Sequence, residues 1–245
     1  MPSLENYRRE SDYSYAPGFF PSMEALTKQP ESVRRVLLHS KLEPSTNVEM
    51  LLDLCQRYHV RTEIADKALA HISGKENCFI AAVFEKTQGT LNPDSNHLVL
   101  HCPSDKGNLG TMLRTALGFG FTDIAIVRPA ADHFDPHVVR ASMGALFSLR
   151  IREFDVFETY RCAFPGHTLY PFMLKGALPL DEAAKQQKNP YSLIMGNEGS
   201  GLPESFAALG QAVRIPHSSD IDSLNLAIAA AIGMYAFSSE GSCDL

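Results

Sequence analysis

The chain alternates between short apolar runs and segments whose apolar residues recur every three or four positions. Apolar runs of roughly four to eight residues predict buried strands, and the longer period predicts helices. The predicted elements of the first part are helix Ser22–Thr27, strand Val33–His39, helix Asn47–Tyr58, strand Val60–Ile64, helix Asp66–Ile72 and strand Phe79–Phe84. This order predicts a small α/β module.

The remainder of the chain repeats the alternation on a larger scale. The predicted strands are His97–His101, Asp123–Val127, Leu149–Ile151, Thr168–Met173, Ser192–Met195 and Ala212–Pro216. The predicted helices are Leu109–Leu117 with Asn108 as its N-cap, His137–Leu146, Val156–Cys162, Asp181–Gln187 and Leu226–Phe237. Buried strands between helices predict a parallel sheet. The last helix is apolar on all sides, which predicts that it is buried.

Composition along the chain predicts two domains. Residues 1–16 are polar and rich in tyrosine, and we expect a loosely ordered tail there. Turn-forming residues dominate Thr87–Asp94, which places a boundary in that region. The predicted division is therefore a module at 17–88, a linker at 89–96 and a larger domain at 97–245.

Charge and cysteine content narrow the class of protein. The formal net charge of −6 argues mildly against non-specific nucleic-acid binding, although it leaves room for a local basic patch. The five cysteines include no CxxC pair, which disfavours a zinc site and a disulfide framework and favours reduced thiols in a cytoplasmic protein. The N-terminus has no apolar signal region, and no apolar run reaches the roughly 20 residues of a membrane span. We therefore expect neither a membrane nor a metal partner.

Two loops follow predicted strands and carry most of the candidate chemistry. Gly196–Gly201 follows Ser192–Met195, and the polar run His217–Asp222 follows Ala212–Pro216. Glycine lets the backbone approach a ligand closely, although any single loop of this kind is more often an ordinary tight turn. The presence of both loops favours a ligand site at the strand ends. No GxGxxG follows a strand and no GxxxxGK[ST] is present, which disfavours a dinucleotide or P-loop enzyme.

Arginines supply the candidate anion contacts. Arg114 lies on the flank of its predicted helix and could reach a site at the sheet edge, but position alone favours a solvated surface residue. Further arginines stand at Arg128, Arg140, Arg150, Arg152 and Arg161. Arginine is the preferred bidentate partner of phosphate. Acidic residues share the same stretch, so a mixed solvated face is the alternative.

Several segments in order resemble one family of enzymes. Asn108–Ala116 looks like the first motif of the SpoU (TrmH-type) branch of the SPOUT RNA methyltransferases, and Ile194–Leu202 looks like the second. Ile215-Pro216 with Asp222–Ala229 resembles the third motif, and Val139–Ala145 is similar to the segment between the first two. One motif alone would be a weak signal, whereas all of them in order are specific.

The resemblance extends over roughly residues 17–238 and implies a fold and a reaction. Val33–Leu38 and Leu69–Val83 are similar to the family's N-terminal L30e-like substrate-binding domain. The family implies a C-terminal parallel-sheet SPOUT domain with a deep trefoil knot, a rare exception to unknotted topology. It also implies a homodimer, with Leu226–Phe237 at the contact, and S-adenosylmethionine-dependent 2′-O-methylation of RNA. The extra N-terminal domain favours rRNA; a tRNA methyltransferase and a non-catalytic RNA-binding or assembly factor are the alternatives.

The resemblance also assigns roles to single residues. The cofactor residues it implies are Met195, Gly196, Asn197, Glu198, Gly201, Ile215, His217, Ser223 and Leu224. The catalytic residues it implies are Arg114, Asn108, Glu198, Ser223 and Asn225, and we expect RNA contacts from Arg128, Arg140 and Arg150. The family's model makes the arginine the activator of the ribose hydroxyl. Because arginine is effectively always protonated, we favour Arg114 as a phosphate clamp that also stabilises developing alkoxide charge.

Overall fold

The computed structural model describes residues 6–73, 78–174 and 177–239. In these residues the strands are β1 (Tyr13–Pro17), β2 (Val33–Leu38), β3 (Arg61–Ile64), β4 (Ile80–Glu85), β5 (His97–His101), β6 (Asp123–Val127), β7 (Arg150–Phe154), β8 (Thr168–Pro171), β9 (Leu178–Pro179), β10 (Tyr191–Met195) and β11 (Val213–Arg214). The α-helices are α1 (Phe19–Lys28), α2 (Thr46–Arg57), α3 (Asp66–Ser73), α4 (Lys106–Gly118), α5 (Pro136–Ala141), α6 (Phe157–Ala163), α7 (Leu180–Lys185) and α8 (Leu226–Ser239).

The chain divides into two compact units. The N-terminal unit contains the chain up to Thr87 together with Asp132–Ser148, and the C-terminal unit contains Gln88–Ala131 and the chain from Leu149 onward. Asp132–Ser148 lies in the range predicted for the second domain, yet it groups with the first. The reason is apolar contact, because Phe84 on β4 packs its ring against Phe134 and Phe147.

The sheet of the N-terminal unit has the order β1-β4-β2-β3. Strand β1 pairs with β4 antiparallel, from Tyr13 opposite Glu85 to Pro17 opposite Ala81. The prediction of a loosely ordered tail to residue 16 is therefore wrong for Tyr13–Ala16. Tyr15 is fully buried, and tyrosine rings supply the apolar area that a polar-looking sequence conceals.

The C-terminal unit contains the predicted parallel sheet, in the order β7-β6-β5-β10-β8. All four strand pairs are parallel, which confirms the α/β class. Strand order reverses between β5 and β10, and such a switch point is where parallel sheets place ligand crevices. The predicted strand Ala212–Pro216 is only the two-residue β11, which pairs with β9 outside the main sheet.

Helix α5 is shorter than predicted, and helix α8 is less buried than predicted. The predicted helix His137–Leu146 ends at Ala141 because Met143 and Gly144 adopt positive φ angles of 54° and 85°. Helix α8 packs with α4 but buries only one of its apolar faces. Ile228, Ile232 and Tyr235 remain 53%, 36% and 62% exposed, so the prediction of a fully buried helix is wrong for the single chain. Within the ranges given above, every helix is too short or too polar to cross a membrane.

Candidate functional site

A cavity of about 430 Å³ lies at the carboxyl end of β10. Its walls are the loop at 196–202, the loop at 215–225, Phe172–Leu174 and the first residues of α8. The residues assigned to the cofactor from the sequence all line this cavity: Met195, Gly196, Asn197, Glu198, Gly201, Ile215, His217, Ser223 and Leu224. The two glycine-rich and polar loops, distant in sequence, thus converge on one space.

Gly196 shapes the first wall through close backbone contact. A Cβ atom at this position would lie 2.4 Å from the carbonyl carbon of Gly201. The backbone amides of Asn197 and Gly201 donate to each other's carbonyl oxygens at 3.1 and 3.0 Å, and Gly201 has a φ of 67°. The loop therefore folds back on itself at a distance that only glycine allows.

Replacing Gly196 with alanine should lower affinity for S-adenosylmethionine roughly tenfold, because overpacking of this size costs about 1–3 kcal/mol. Isothermal titration of the purified variant measures this. Gly199→Ala is the matched control, since its Cβ would meet nothing closer than 3.6 Å. Equal affinities of the two variants would show that the close approach at Gly196 does not shape the cavity.

Asn197 holds the same loop against the end of β5. Its Nδ2 donates to the carbonyl oxygen of Cys102 at 2.8 Å, and its Oδ1 accepts from the backbone amides of Gly199 and Ser200 at 2.9 and 3.1 Å. Both ends of the amide are used, so Asn197 organises the backbone of the loop that forms this wall of the cavity.

Glu198 ties the 196–202 loop to the start of α4. Its carboxylate accepts from the Ser104 amide at 2.9 Å, the Ser104 hydroxyl at 2.7 Å and the Asp105 amide at 3.0 Å. Asn108 Nδ2 is a weaker donor at 3.5 Å. Ser104 and Asp105 were not assigned to the site from the sequence, although a Ser-Asp pair before a helix is a recognisable capping signal.

Asp105 is the N-cap of α4, and the prediction that Asn108 has this role is wrong. The Asp105 Oδ1 accepts from the backbone amide of Asn108 at 2.7 Å, and the helix already begins at Lys106. Aspartate and asparagine are comparable caps, so the earlier of the two polar residues decides where the helix starts. Asn108 is thereby freed to use its side chain in the site.

Burial opposes ionisation of Glu198, but the hydrogen bonds from Ser104 and Asp105 outweigh it, and the pKa of Glu198 is lowered. A lowered pKa means that the clamp contributes stability above the unfolded value of about 4.3 and loses it as pH falls through the folded value. We therefore expect the Glu198 contribution to stability to be constant from about pH 6 to 8 and to decline only in acid. Chemical denaturation of wild type and Glu198→Gln across this range measures it; a difference that shrinks between pH 8 and 6 would contradict the assignment.

Asn225 joins the third segment to the other two. Its Nδ2 donates to Asn108 Oδ1 at 3.1 Å, and its Oδ1 accepts from the amides of Ala227 and Ile228 at 2.9 and 3.2 Å, capping α8. Asn108 consequently touches both Glu198 and Asn225. The three motif segments meet in one hydrogen-bonded cluster beside the cavity.

Arg114 is not brought into this cluster. Its side chain is exposed on α4, does not line the cavity, and makes no hydrogen bond or ion pair with any residue that the structure describes. Ser223, the remaining residue assigned to catalysis, lines the cavity in the loop before α8. The catalytic roles of both residues stay predictions.

Two arginines assigned to RNA have carboxylate partners within the chain. Arg128 Nε donates to Glu153 at 2.7 Å and its Nη1 to Asp155 at 3.1 Å, while Arg150 pairs with the buried Asp123. Both arginines thus have acidic partners within the chain while their side chains remain 46% and 45% exposed. Their contacts to RNA stay predictions. Sequence could not show the ion pairs, since the partner acids lie on neighbouring strands of the sheet.

Comparison with known proteins supplies a family match. The model of the SpoU rRNA Methylase family matches residues 95–235. The chain is 27% identical over 216 residues to the 23S rRNA (guanosine(2553)-2'-O)-methyltransferase RlmP of Bacillus subtilis, covering 87% of this chain and 84% of that protein. It is 33% identical over 138 residues to the ribosomal RNA small subunit methyltransferase G 2 of Syntrophobacter fumaroxidans, of which it spans only 26%.

Solved structures agree in fold. The AdoMet-bound rRNA methyltransferase from Sinorhizobium meliloti superposes with a TM-score of 0.77 at 26% identity, covering 94% of this chain and 88% of that one. The SpoU methyltransferase AviRb from Streptomyces viridochromogenes, in complex with AdoMet, gives a TM-score of 0.80 at 24% identity over 98% and 96% of the two chains. The second likeness is evidence for the fold alone.

Proposed function

Because the chain belongs to the SpoU rRNA methylase family, we propose that it transfers a methyl group from S-adenosylmethionine to a ribose 2′-hydroxyl of ribosomal RNA. The observation that carries the proposal is the convergence of both predicted loops on one cavity at the carboxyl end of β10. The named relatives from Bacillus subtilis and Syntrophobacter fumaroxidans, both rRNA methyltransferases, support the substrate class.

The cavity fits S-adenosylmethionine in size and chemistry. Its volume of about 430 Å³ lies within the usual range of roughly 300–1,000 Å³ for small-molecule sites. Met195, Ile215 and Leu224 offer apolar surface, and Gly196 and Gly201 expose backbone. When bound, the cofactor supplies an electrophilic methyl group on a sulfonium, so the protein's task is to position the ribose hydroxyl in line with it.

The residues present favour electrostatic assistance over a carboxylate base. Glu198 is fully engaged as an acceptor toward Ser104 and Asp105, and its clamp role leaves it unsuited to remove a proton. Arg114 is permanently charged and carries no partner within the described chain. We propose that Arg114 binds the phosphate beside the target ribose and stabilises the negative charge that develops on the 2′-oxygen.

We further propose that the protein works as a homodimer through α4 and α8. The exposed Ile228, Ile232 and Tyr235 form a stripe at i, i+4 and i+7 on α8, and exposed apolar stripes of this kind mark interaction surfaces. Helix α8 also contributes to the cavity wall, and Arg114 lies on the adjoining α4. A contact through this face would bring Arg114 of one copy toward the cavity of the other.

Ile228→Glu should convert the dimer to a monomer, because an isolated charge in an apolar contact is costly to bury. Sedimentation velocity measures the change. Met50→Glu is the matched control, since Met50 is also 53% exposed but lies on α2 in the N-terminal unit. A dimer that persists in Ile228→Glu and dissociates in Met50→Glu would move the contact to the other unit.

The remaining features of the proposal follow the family. We propose that residues 191–237 form the trefoil knot, that the N-terminal unit binds the RNA substrate, and that the protein is cytoplasmic and uses no metal. Reduced thiols support the compartment, because Cys55, Cys78, Cys102 and Cys162 are all unpaired; Cys243 lies outside the described residues.

Transfer of labelled methyl groups into separate pools of rRNA and tRNA tests the substrate. We expect incorporation into rRNA from a strain that lacks this protein. Incorporation into tRNA alone would favour the tRNA alternative, and no incorporation into any pool would favour a non-catalytic RNA-binding factor.

A further inference from the structure

The N-terminal unit contains a second cavity, of about 640 Å³, that is lined by none of the residues assigned to the cofactor or to catalysis. Its polar lining includes His71 on α3 and His137 and Arg140 on α5, and its apolar lining includes Pro17, Ile72 and Pro136. The cavity thus combines apolar surface with three nitrogen-bearing side chains and one carboxylate, that of Asp135. Its size is within the range of small-molecule sites.

Arg140 makes this cavity favourable for an anionic ligand. The side chain is partly buried and makes no hydrogen bond or ion pair with the residues that the structure describes, unlike Arg128 and Arg150. A partly buried guanidinium without an acceptor is costly, and phosphate is the anion whose geometry it fits best. Pro17, Ile72 and Pro136 offer apolar surface against which a base can pack.

We propose that this cavity binds one unstacked nucleotide of the RNA substrate, with Arg140 on its phosphate and the base against the apolar wall. Proteins read RNA mainly through bases that leave the stack, which a cavity of this size accommodates. The proposal rests on the proposed function in one respect, the assignment of RNA as substrate. The proposed site differs from a general basic patch, because a single pocket is expected to bind ligands of the size of one nucleotide.

Titration of the protein with UMP, CMP, AMP and GMP, followed by the imidazole proton signals of His71 and His137, tests the site. We expect at least one of these nucleotides to shift both signals, and Arg140→Gln to weaken that binding about tenfold. Arg57→Gln, an exposed change on α2, should leave it unaltered. Absence of shifts with every nucleotide at millimolar concentration, or equal shifts with inorganic phosphate alone, would overturn the proposal. Affinity for S-adenosylmethionine, measured in parallel, reports on the proposed function separately.

A different observation, a buried chain of hydrogen bonds in the C-terminal unit, carries a second inference. His97 Nε2 lies 2.8 Å from the Asn92 carbonyl oxygen and His167 Nε2 lies 2.8 Å from that of Pro93. Between the two rings, His97 Nδ1 lies 2.9 Å from the Tyr160 hydroxyl, which lies 2.6 Å from the Ser192 hydroxyl. Ser192 Oγ in turn lies 2.9 Å from His167 Nδ1.

The buried chain of hydrogen bonds has one more contact than its side chains have protons to donate. Each of its five contacts needs one proton between the two heavy atoms. Two neutral imidazoles, one phenol and one serine hydroxyl supply only one proton each. One contact would then hold two lone pairs facing each other inside the protein, where His97, Tyr160 and Ser192 are fully buried.

We infer that the chain takes up one additional proton and thereby becomes a protonation-dependent clamp on Asn92 and Pro93, the segment that leads into β5. Burial lowers the pKa of His97 to about 4, which disfavours the additional proton on that ring. With His167 doubly protonated, every contact is satisfied in one direction, from His167 through Ser192, Tyr160 and His97 to Asn92.

The charged groups that act on His97 are Asp123 on β6 and Arg150 on β7, which pair with each other. The clamp has every hydrogen bond while the additional proton is present and loses one hydrogen bond when that proton leaves.

Nitrogen NMR of the His167 ring tests whether the hydrogen-bond chain holds an additional proton. The spectra are recorded across pH 5 to 9 in wild type and Ser192→Ala. Ser192→Ala removes two contacts and one proton, so the remaining contacts need no additional proton. We expect the His167 ring nitrogens to carry more protons in wild type than in Ser192→Ala at the same pH. Tyr160→Phe should behave like Ser192→Ala and serves if the first variant does not fold. Identical titrations in wild type and both variants would overturn the inference.

Discussion

Arg114→Ala is expected to reduce methyl transfer by about a thousandfold while leaving affinity for S-adenosylmethionine within about twofold of wild type. Loss of one preorganised group that stabilises transition-state charge typically costs a factor of about 10²–10³. Affinity should survive because Arg114 is exposed and does not line the cavity. Single-turnover methyl transfer and isothermal titration measure the two quantities.

The control for Arg114 is Arg161→Ala, an exposed arginine on α6 of the same unit that has no role in the proposed mechanism. We expect its rate to match wild type. Lysine at position 114 separates charge from geometry, because a point charge cannot replace a bidentate contact. A folded Arg114→Ala protein that no longer binds the cofactor would reassign this residue to the cofactor cavity.

Glu198→Gln is expected to lower affinity for S-adenosylmethionine about a hundredfold. Hydrogen bonds to a charged group contribute about 1.5–3 kcal/mol each, and the amide nitrogen of glutamine would face the donors of Ser104 and Asp105. The loop at 196–202 would then lose its anchor on α4. Isothermal titration measures the affinity, and thermal unfolding shows whether the variant is folded.

Glu182→Gln, an exposed acid on α7, controls for loss of a negative charge in the same unit. It should bind the cofactor like wild type. If Glu198→Gln bound the cofactor normally but lost methyl transfer, the carboxylate would act on the ribose hydroxyl and the clamp role would be wrong.

The cavity could be predicted from sequence because its requirements are local. Gly196 and Gly201 stand in a segment that cannot continue a strand, and the polar run after Ile215 has the same property. Parallel strands end at the same sheet edge, so two such loops are expected to meet there. The resemblance then assigned residues to the cavity that the structure does bring together.

Residues whose roles depend on distant partners could not be predicted in the same way. Arg128 and Arg150 look unpaired until their acids on neighbouring strands are known. Ser104 enters the site through Glu198 and Asn197, which lie far along the chain. The sequence of Asp132–Ser148 does not indicate which unit this segment packs against, and the fold shows that it belongs to the N-terminal unit.

Local competition explains the errors at element ends. Asp105 and Asn108 are both good caps, and period alone cannot choose between them. Helix α8 has apolar residues on all sides, and this pattern does not indicate which face packs against the rest of the chain. The exposed Ile228 stripe shows where the single chain leaves that requirement unmet.

Transfer of a methyl group to a ribose hydroxyl of ribosomal RNA is tested by identifying the product nucleoside. Ribosomal RNA from a strain lacking this protein is incubated with the protein and labelled S-adenosylmethionine, digested to nucleosides and analysed by mass spectrometry. We predict that the label appears in a single 2′-O-methylated nucleoside, whose 3′ phosphodiester resists alkaline cleavage. Label in a base-methylated nucleoside, or no label in rRNA, would contradict methylation of a ribose hydroxyl in ribosomal RNA.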